Sequence, residues 1–283
     1  MASFTNFATL SYNGGTTNSN IVTGEILEAL TAVKTAVSAN YSAGDRITYA
    51  LSLVNTGTAA VTDYTVTDNL GGYTVGANTV YPLAYNAGTV RYYINGVLQA
   101  APTVTAGPPL TVTGLTVPAG GNAVLIYETT ATPVAPLATG SSITNTATIT
   151  GGGLTTPITA QATVETANSA DLTISKALSP TTVTENGQIT YTFVISNTGN
   201  TEATATGNVV VTDTFAPILR NIAVTYNGTA WTEGTNYTYN AATGVFTTLA
   251  GQITVPAASF TQNTDGTFTV TPGTATLVIT GTV

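Results

Sequence analysis

Apolar and polar residues alternate along almost the whole chain. In Ile47-Thr-Tyr-Ala-Leu-Ser-Leu-Val-Asn-Thr-Gly57, residues 47, 49, 51 and 53 form one apolar face. A period of two predicts half-buried β-strands. The same alternation runs through Ile189-Thr-Tyr-Thr-Phe-Val-Ile-Ser-Asn-Thr-Gly199 and Ser142-Ile-Thr-Asn-Thr-Ala-Thr-Ile-Thr150. The two Asn-Thr-Gly stretches, Asn95-Gly96, Asn227-Gly228 and Asp265-Gly266 mark tight turns between strands. This pattern predicts antiparallel sandwiches of immunoglobulin-like type. Residues 24–37 also read as an Ala/Leu-rich helix, but an internal repeat puts their second half on a strand.

That repeat organises the chain. Leu30-Thr-Ala-Val-Lys34 matches Leu172-Thr-Ile-Ser-Lys176, and Ile47 to Gly57 matches Ile189 to Gly199 at the same offset. Val66-Thr-Asp68 matches Val211-Thr-Asp213 after a three-residue insertion. Pro118-Ala-Gly-Gly-Asn-Ala-Val-Leu-Ile-Tyr127 matches Pro272-Gly-Thr-Ala-Thr-Leu-Val-Ile279 more loosely. The first copy continues into a closing hairpin over 142–164, whereas the second reaches Val283 where that hairpin is due. The small, polar stretch Thr166-Ala-Asn-Ser-Ala170 reads as the linker. The expectation is an all-β chain of two tandem immunoglobulin-like sandwiches. Residues 29–168 form the complete one, and 169–283 form one lacking its final strands.

Residues 1–28 carry a second version of the missing hairpin. In Ser3-Phe-Thr-Asn-Phe-Ala-Thr-Leu-Ser11, the residues Ser3, Thr5, Asn6, Ala8 and Thr9 are identical to Ser142, Thr144, Asn145, Ala147 and Thr148. Phe4 and Leu10 keep the apolar character of Ile143 and Ile149. Each copy then reaches a glycine turn, Asn13-Gly14-Gly15 or Gly151-Gly152-Gly153. The return strand to Glu28 resembles the one to Glu165. By alternation Phe4, Asn6, Ala8 and Leu10 share one face. The tether between Glu28 and Leu30 reaches under about 8 Å, too short to carry the arm past the first sandwich. The first sandwich's own slot is filled by 142–164. The arm is therefore expected to insert into the second sandwich of another subunit, as a donated strand. Donor and acceptor differ, so the contact is head-to-tail and builds an open homopolymer.

The quoted motifs Asp171-Leu-Thr-Ile-Ser-Lys176, Gly187 to Gly199 and Val210-Val-Thr-Asp-Thr-Phe215 resemble the conserved repeat domain of unknown function eleven, which occurs in tandem in bacterial and archaeal surface proteins. The family's closing strand, Asn-x-Ala-x-Val, is matched by Asn145-Thr-Ala-Thr-Ile149 and Asn6-Phe-Ala-Thr-Leu10. The resemblance covers both sandwiches and is weakest over 71–117 and 216–268. A two-domain chain of this size also resembles spore-appendage subunits of clostridia. The family implies no enzymatic activity and an extracellular place on the cell or spore surface. Neither a basic leader nor the apolar stretch that follows one is visible, so a secretory signal is expected to be absent or removed.

Composition narrows the function further. A net charge of −8 argues against nucleic acid as partner. No apolar run is long enough for a membrane span. With no histidine, the commonest metal ligand and the commonest general base are missing, and with no cysteine the redox compartment is not readable from disulfides. Asp45, Asp63 and Asp171 lack calcium-loop spacing. No cofactor or metal is expected. Tyr92, Tyr93, Trp231, Tyr237 and Tyr239 fit a sugar-binding strip less well than core and cross-strand pairing.

Chemistry enters through the lysines. The chain has only Lys34 and Lys176, at equivalent positions on the apolar face of the first strand of each repeat. Asp68 and Asp213 follow valines on the inward face, and Asn145 and Asn6 lie on the apolar face of the two closing strands. Buried together, such groups must satisfy one another. A desolvated lysine loses its proton readily and becomes a nucleophile, while a desolvated aspartate keeps one. A neutral amine beside a carboxamide polarised by an acid can form an amide and release ammonia. The arrangement resembles intramolecular isopeptide bonds of Gram-positive pilin domains. That resemblance implies Lys34–Asn145 within the first sandwich and Lys176–Asn6 between subunits, with Asp68 and Asp213 as the acids. Ordinary Lys–Asp pairs are the alternative. Glu128 is a rival acid in the first sandwich only, because its counterpart is Thr280. The expected function is a structural filament subunit. A monomeric adhesin or glycan-binding module and a surface-layer protein stay open, with the surface ligand unknown.

Overall fold

The structure is a computed structural model that describes residues 2–26 and 29–283, with side chains from 4–24 and 29–283. Glu28, the end of the arm in the repeat comparison, lies outside the described residues. The chain is all-β. Among the described residues the one helical element is the 3-10 turn at Ala205–Gly207. Thr, Val and Ile fill the strands, because branched side chains suit a pleated, half-buried surface.

The arm consists of β1 (Ala2–Asn6), β2 (Thr9–Tyr12), β3 (Gly15–Asn18) and β4 (Val22–Ile26). It folds as one antiparallel hairpin, β1 on β4 and β2 on β3. Its tip is Asn13-Gly14, both at positive φ, as a tight hairpin turn of matching twist requires. The chain divides into two compact units. One is Met1–Ala135 with Ser142–Glu165, which includes the arm; the other is Pro136–Ser141 with Thr166–Val283.

Unit 1 holds β5 (Leu30–Ala36), β6 (Asn40–Tyr41), β7 (Arg46–Asn55), β8 (Val61–Asp68), β9 (Tyr73–Val75), β10 (Asn78–Val80), β11 (Leu83–Tyr85), β12 (Arg91–Ile94), β13 (Val97–Leu98), β14 (Thr103–Thr105), β15 (Leu110–Val117), β16 (Asn122–Ala131), β17 (Ser142–Gly151) and β18 (Ile158–Thr166). One sheet runs β13-β12-β16-β7-β5, and the other runs β14-β15-β8-β17-β18-β6. Ile47, Tyr49, Leu51 and Leu53 of β7 are fully buried, as are Tyr64 of β8 and Ala147 and Ile149 of β17. Burying each large apolar side chain contributes about 1.5–3 kcal/mol.

Unit 2 holds β19 (Leu172–Ser179), β20 (Gln188–Asn197), β21 (Thr212–Thr214), β22 (Arg220–Tyr226), β23 (Thr229–Trp231), β24 (Tyr237–Asn240), β25 (Val245–Thr248), β26 (Ser259–Gln262), β27 (Phe268–Thr271) and β28 (Gly273–Thr282). Its first sheet, β19-β20-β28-β22-β23, repeats the order β5-β7-β16-β12-β13 strand for strand. Its second sheet has only β21-β25-β24, the counterparts of β8, β15 and β14. Among the described residues nothing in unit 2 corresponds to β17, β18 or β6. Both sheets share one core, in which Tyr191, Phe193 and Leu277 meet Phe246, Phe215 and Val211.

The two Asn-Thr-Gly turns do more than reverse the chain. Asn55 Nδ2 donates to the carbonyls of Ala59 and Pro118, and Asn197 Nδ2 to those of Thr201 and Pro256. Gly57 N and Gly199 N donate back to the respective amide oxygens. Each buried asparagine pins the end of its strand to the neighbouring loops and satisfies its own polar atoms.

Candidate functional site

In unit 1 Lys34 and Asp68 meet in a closed, buried site, with Asn145 also buried on the inward face of β17. β5 brings Lys34 inward, because residues 30 and 34 lie on its buried face. Lys34 Nζ lies 2.5 Å from Asp68 Oδ2, and both side chains are inaccessible to solvent. Asp68 Oδ2 also accepts from the Tyr127 hydroxyl, and Leu70 N donates to Oδ1 at 3.0 Å. The amine sits over the Tyr49 and Tyr127 rings, 4.9 Å and 5.9 Å from their centroids. β17 pairs with β8 so that Ala147 lies opposite Asp68. Asn145, two residues earlier, is on the same inward face and fully buried. Its carboxamide lies beside the Tyr49 and Tyr127 hydroxyls, yet neither its Oδ1 nor its Nδ2 makes a hydrogen bond of normal geometry. A buried amide left unpaired costs about 1–3 kcal/mol, so this one stands at odds with the well-satisfied asparagines at 55 and 197.

Burial pushes the Lys34 ammonium down to about 8, against the opposing pull of Asp68. At neutral pH roughly a tenth of such an amine is neutral. Burial, with the Asp68 charge adding to it, raises the Tyr49 and Tyr127 hydroxyls above their ordinary range. Both tyrosines stay protonated and can act as donors. Glu128, the rival acid, is 37% exposed and lies 3.6 Å from Arg46, so it takes no part in the cluster.

In unit 2 the same cluster is half-built. Lys176 Nζ lies 2.5 Å from Asp213 Oδ2, but the side chains are 40% and 18% exposed. The amine lies over Tyr191, Phe193 and Phe215, at 4.5, 5.4 and 5.6 Å from the ring centroids. Tyr191 is the counterpart of Tyr49. The counterpart of Tyr127 is Ile279, so Asp213 has no phenol donor from that strand. β21 pairs with β25 alone, and among the described residues its second edge carries no strand. The uncovered inward face of β19 shows Ile174 and Leu178 beside Lys176.

Asn6, Phe4, Ala8 and Leu10 are exposed on the arm. Phe7, Tyr12, Ile21 and Val22 are exposed there too. Phe4 lies opposite Gly24, whose missing side chain leaves room for the ring. Tyr49 and Tyr127 escaped the sequence reading as site residues. Tyr at alternating strand positions reads as core, and only cross-strand pairing shows Tyr49 opposite Tyr127 next to the lysine.

Of the aromatic residues considered for a sugar strip, Trp231, Tyr237 and Tyr239 pack against other rings. Tyr226 stacks on Trp231, Tyr237 lies against Phe246, and Tyr239 against Phe215. Among the described residues no group of His, Cys, Asp or Glu is placed to hold a metal. No helix among them is long and apolar enough to cross a membrane.

No family model matches the chain, and no curated protein sequence does. Solved structures do. The pilus backbone of Streptococcus pneumoniae aligns at 14% identity and a TM-score of 0.36, over 86% of this chain and 55% of that one. The major pilin subunit of Bacillus cereus aligns at 14% identity and 0.35, over 96% and 73%. The collagen-binding subdomain of the Enterococcus faecalis surface protein ACE aligns at 9% identity and 0.31, over 49% and 99%. The chain thus spans about half the length of the pneumococcal protein. These scores are low, and the functional reading rests on the chain's own residues.

Proposed function

We propose that the protein is a structural subunit of an extracellular filament, built by donation of its arm into unit 2 of the next copy. One observation carries the reading. The Lys–Asp cluster that β17 and β18 close in unit 1 lies uncovered in unit 2, beside the strandless edge of β21. The arm repeats the sequence of β17 and is likewise an antiparallel hairpin, with a tighter tip and a shifted register, and its apolar side chains lie in water. A two-stranded hairpin alone is marginally stable in water, and an open edge with an apolar face invites a partner strand. On the pattern of β8 and β17, Ala8 pairs opposite Asp213 and Asn6 comes beside Lys176. A face from one copy and an edge from another make a heterologous contact that propagates.

The proposed weld follows the same pattern in both places. The neutral lysine amine attacks the asparagine Cγ, the Nζ–Cγ bond forms, and the Cγ–Nδ2 bond breaks. The proton lost by the amine passes through the aspartate to the departing nitrogen, which leaves as ammonia. In unit 1 the pair is Lys34 and Asn145, with Asp68 as the acid. Between copies it is Lys176 and Asn6, with Asp213.

The deciding experiment removes residues 2–26 and images the protein by negative-stain microscopy. Loss of filaments, with the strand spectrum and cooperative melting retained, is expected. Filaments from the shortened protein would end the proposal.

A further inference from the structure

Resting on that reading, we infer that a corner cavity of unit 2 receives the Phe4 ring of a second copy and thereby sets the register of the donated strand. The cavity measures about 510 Å³; Val183, Pro217 and Val283 form its apolar border, and Glu185, Asn186 and Arg220 its polar one. It is open. The matching corner of unit 1 is filled.

The repeat offsets give the correspondences. Val183 stands where unit 1 has Tyr41, Val283 stands where it has Ala131, and Ala216-Pro217 stand where it has Gly71-Gly72. In unit 1, Tyr41 is fully buried and Ile143 is 2% exposed. Ile143 lies directly on Gly71, where an added Cβ would come within 2.6 Å of its Cγ2. The arm residue aligned with Ile143 is Phe4. Three volume changes meet here: tyrosine to valine removes bulk from the corner, Gly71-Gly72 to Ala216-Pro217 adds some back, and isoleucine to phenylalanine enlarges the residue on the closing strand. An open cavity remains beside Val183, and the larger arm residue has the bulk to enter it. Phe4 is available, being 52% exposed on the arm. Arg220 at the rim offers a cation to the ring face.

The consequence is positional. A one-residue slip of a strand turns every side chain to the other face, and a two-residue slip moves it by about 7 Å. With Phe4 in the corner, Asn6 falls beside Lys176, as Asn145 falls two residues after Ile143. A bulky anchor seated in that cavity favours this register over the slipped ones.

The test is a size exchange in the full-length chain, read as filament growth by light scattering and as cross-linked multimers on a denaturing gel. Val183→Tyr is expected to slow growth at least tenfold. Adding Phe4→Ile, which recreates the Tyr41/Ile143 pair, is expected to restore growth to within about threefold of the unchanged protein. Normal growth of Val183→Tyr, or failure of the double variant to recover, overturns the assignment. If Val183→Tyr does not fold, the exposed arm decides: Phe4→Ala should slow growth more than Leu10→Ala, and the reverse order overturns it. Failure here leaves donation standing so long as removal of residues 2–26 still abolishes filaments. Filaments without the arm would remove donation itself.

Discussion

Lys34 and Lys176 occupy equivalent strands and each lies 2.5 Å from an aspartate oxygen, yet the Lys34 side chain is wholly buried and that of Lys176 is 40% exposed. The difference lies in what covers them. β17 and β18 extend the sheet of Asp68 in unit 1, and among the described residues no strand takes their place beside Asp213 in unit 2. Burial makes an amine a nucleophile by disfavouring its charged form. In the proposed assembly, the docking of an arm supplies that burial, so the weld between copies waits for correct assembly.

The covalent claim makes a gel prediction. Boiled filaments should run as a ladder on denaturing electrophoresis, and with no cysteine in the chain a disulfide is not available to explain it. Lys176→Ala, Asn6→Ala or Asp213→Ala should reduce the ladder to monomer, while Lys34→Ala leaves it. Monomer from the Lys176 variant should still weigh one ammonia less than its sequence, from Lys34–Asn145. Complete release of unmodified monomer from unchanged filaments would refute the weld and leave strand donation intact.

Tyr127 should act as a positioning residue for the bond in unit 1. Its hydroxyl donates to Asp68 and lies beside the Asn145 carboxamide. Tyr127→Phe keeps the ring and should cost about 1–2 kcal/mol in the hydrogen bond. Loss of ammonia from unit 1, followed by intact mass after refolding, should slow about tenfold or more. An unchanged rate would assign the hydroxyl to stability alone.

Asn145→Ala leaves Lys34 free to titrate, and stability should then rise with pH above about 8. In the unfolded chain this lysine holds its proton to 10.5, whereas burial releases it in the folded state at about 8. Between those values the native state binds fewer protons, so rising pH favours folding. Above about pH 10 the buried tyrosines reverse the trend, because only the unfolded state can ionise them. Melting temperature should therefore climb a few degrees from pH 8 to about pH 9.5. A flat or falling curve would mean the amine keeps its proton when folded. In the same bond-free background, Asp68→Ala strands the lysine and should cost about 3–5 kcal/mol at pH 7.

Transplanting the arm should end polymerisation by satisfying unit 2 from within. Residues 2–26 are deleted from the front and placed after Val283, through a linker as long as the 132–141 connection between β16 and β17. Sedimentation should give a monomer, more heat-stable than the chain that lacks the arm altogether. Continued growth of filaments from the transplanted chain would show that the arm does not fill the β21 edge.

Much of this protein was legible along the chain because its signals are local. Alternation at Ile47, Tyr49, Leu51 and Leu53 follows from the two-residue period of a strand and needs no partner to be seen. The likeness of Asn6-Phe-Ala-Thr-Leu10 to Asn145-Thr-Ala-Thr-Ile149, and the equal settings of Lys34 and Lys176, are properties of residue order. What tertiary structure decided is which of those equal settings is closed. Burial of Lys34, the hydrogen bond from Tyr127 to Asp68 and the unpaired amide of Asn145 depend on strands far apart in sequence lying face to face. The open corner beside Val183 depends on it too. A lysine's protonation and an amide's satisfaction are set by the surfaces opposite them, and residue order along one strand does not contain those surfaces.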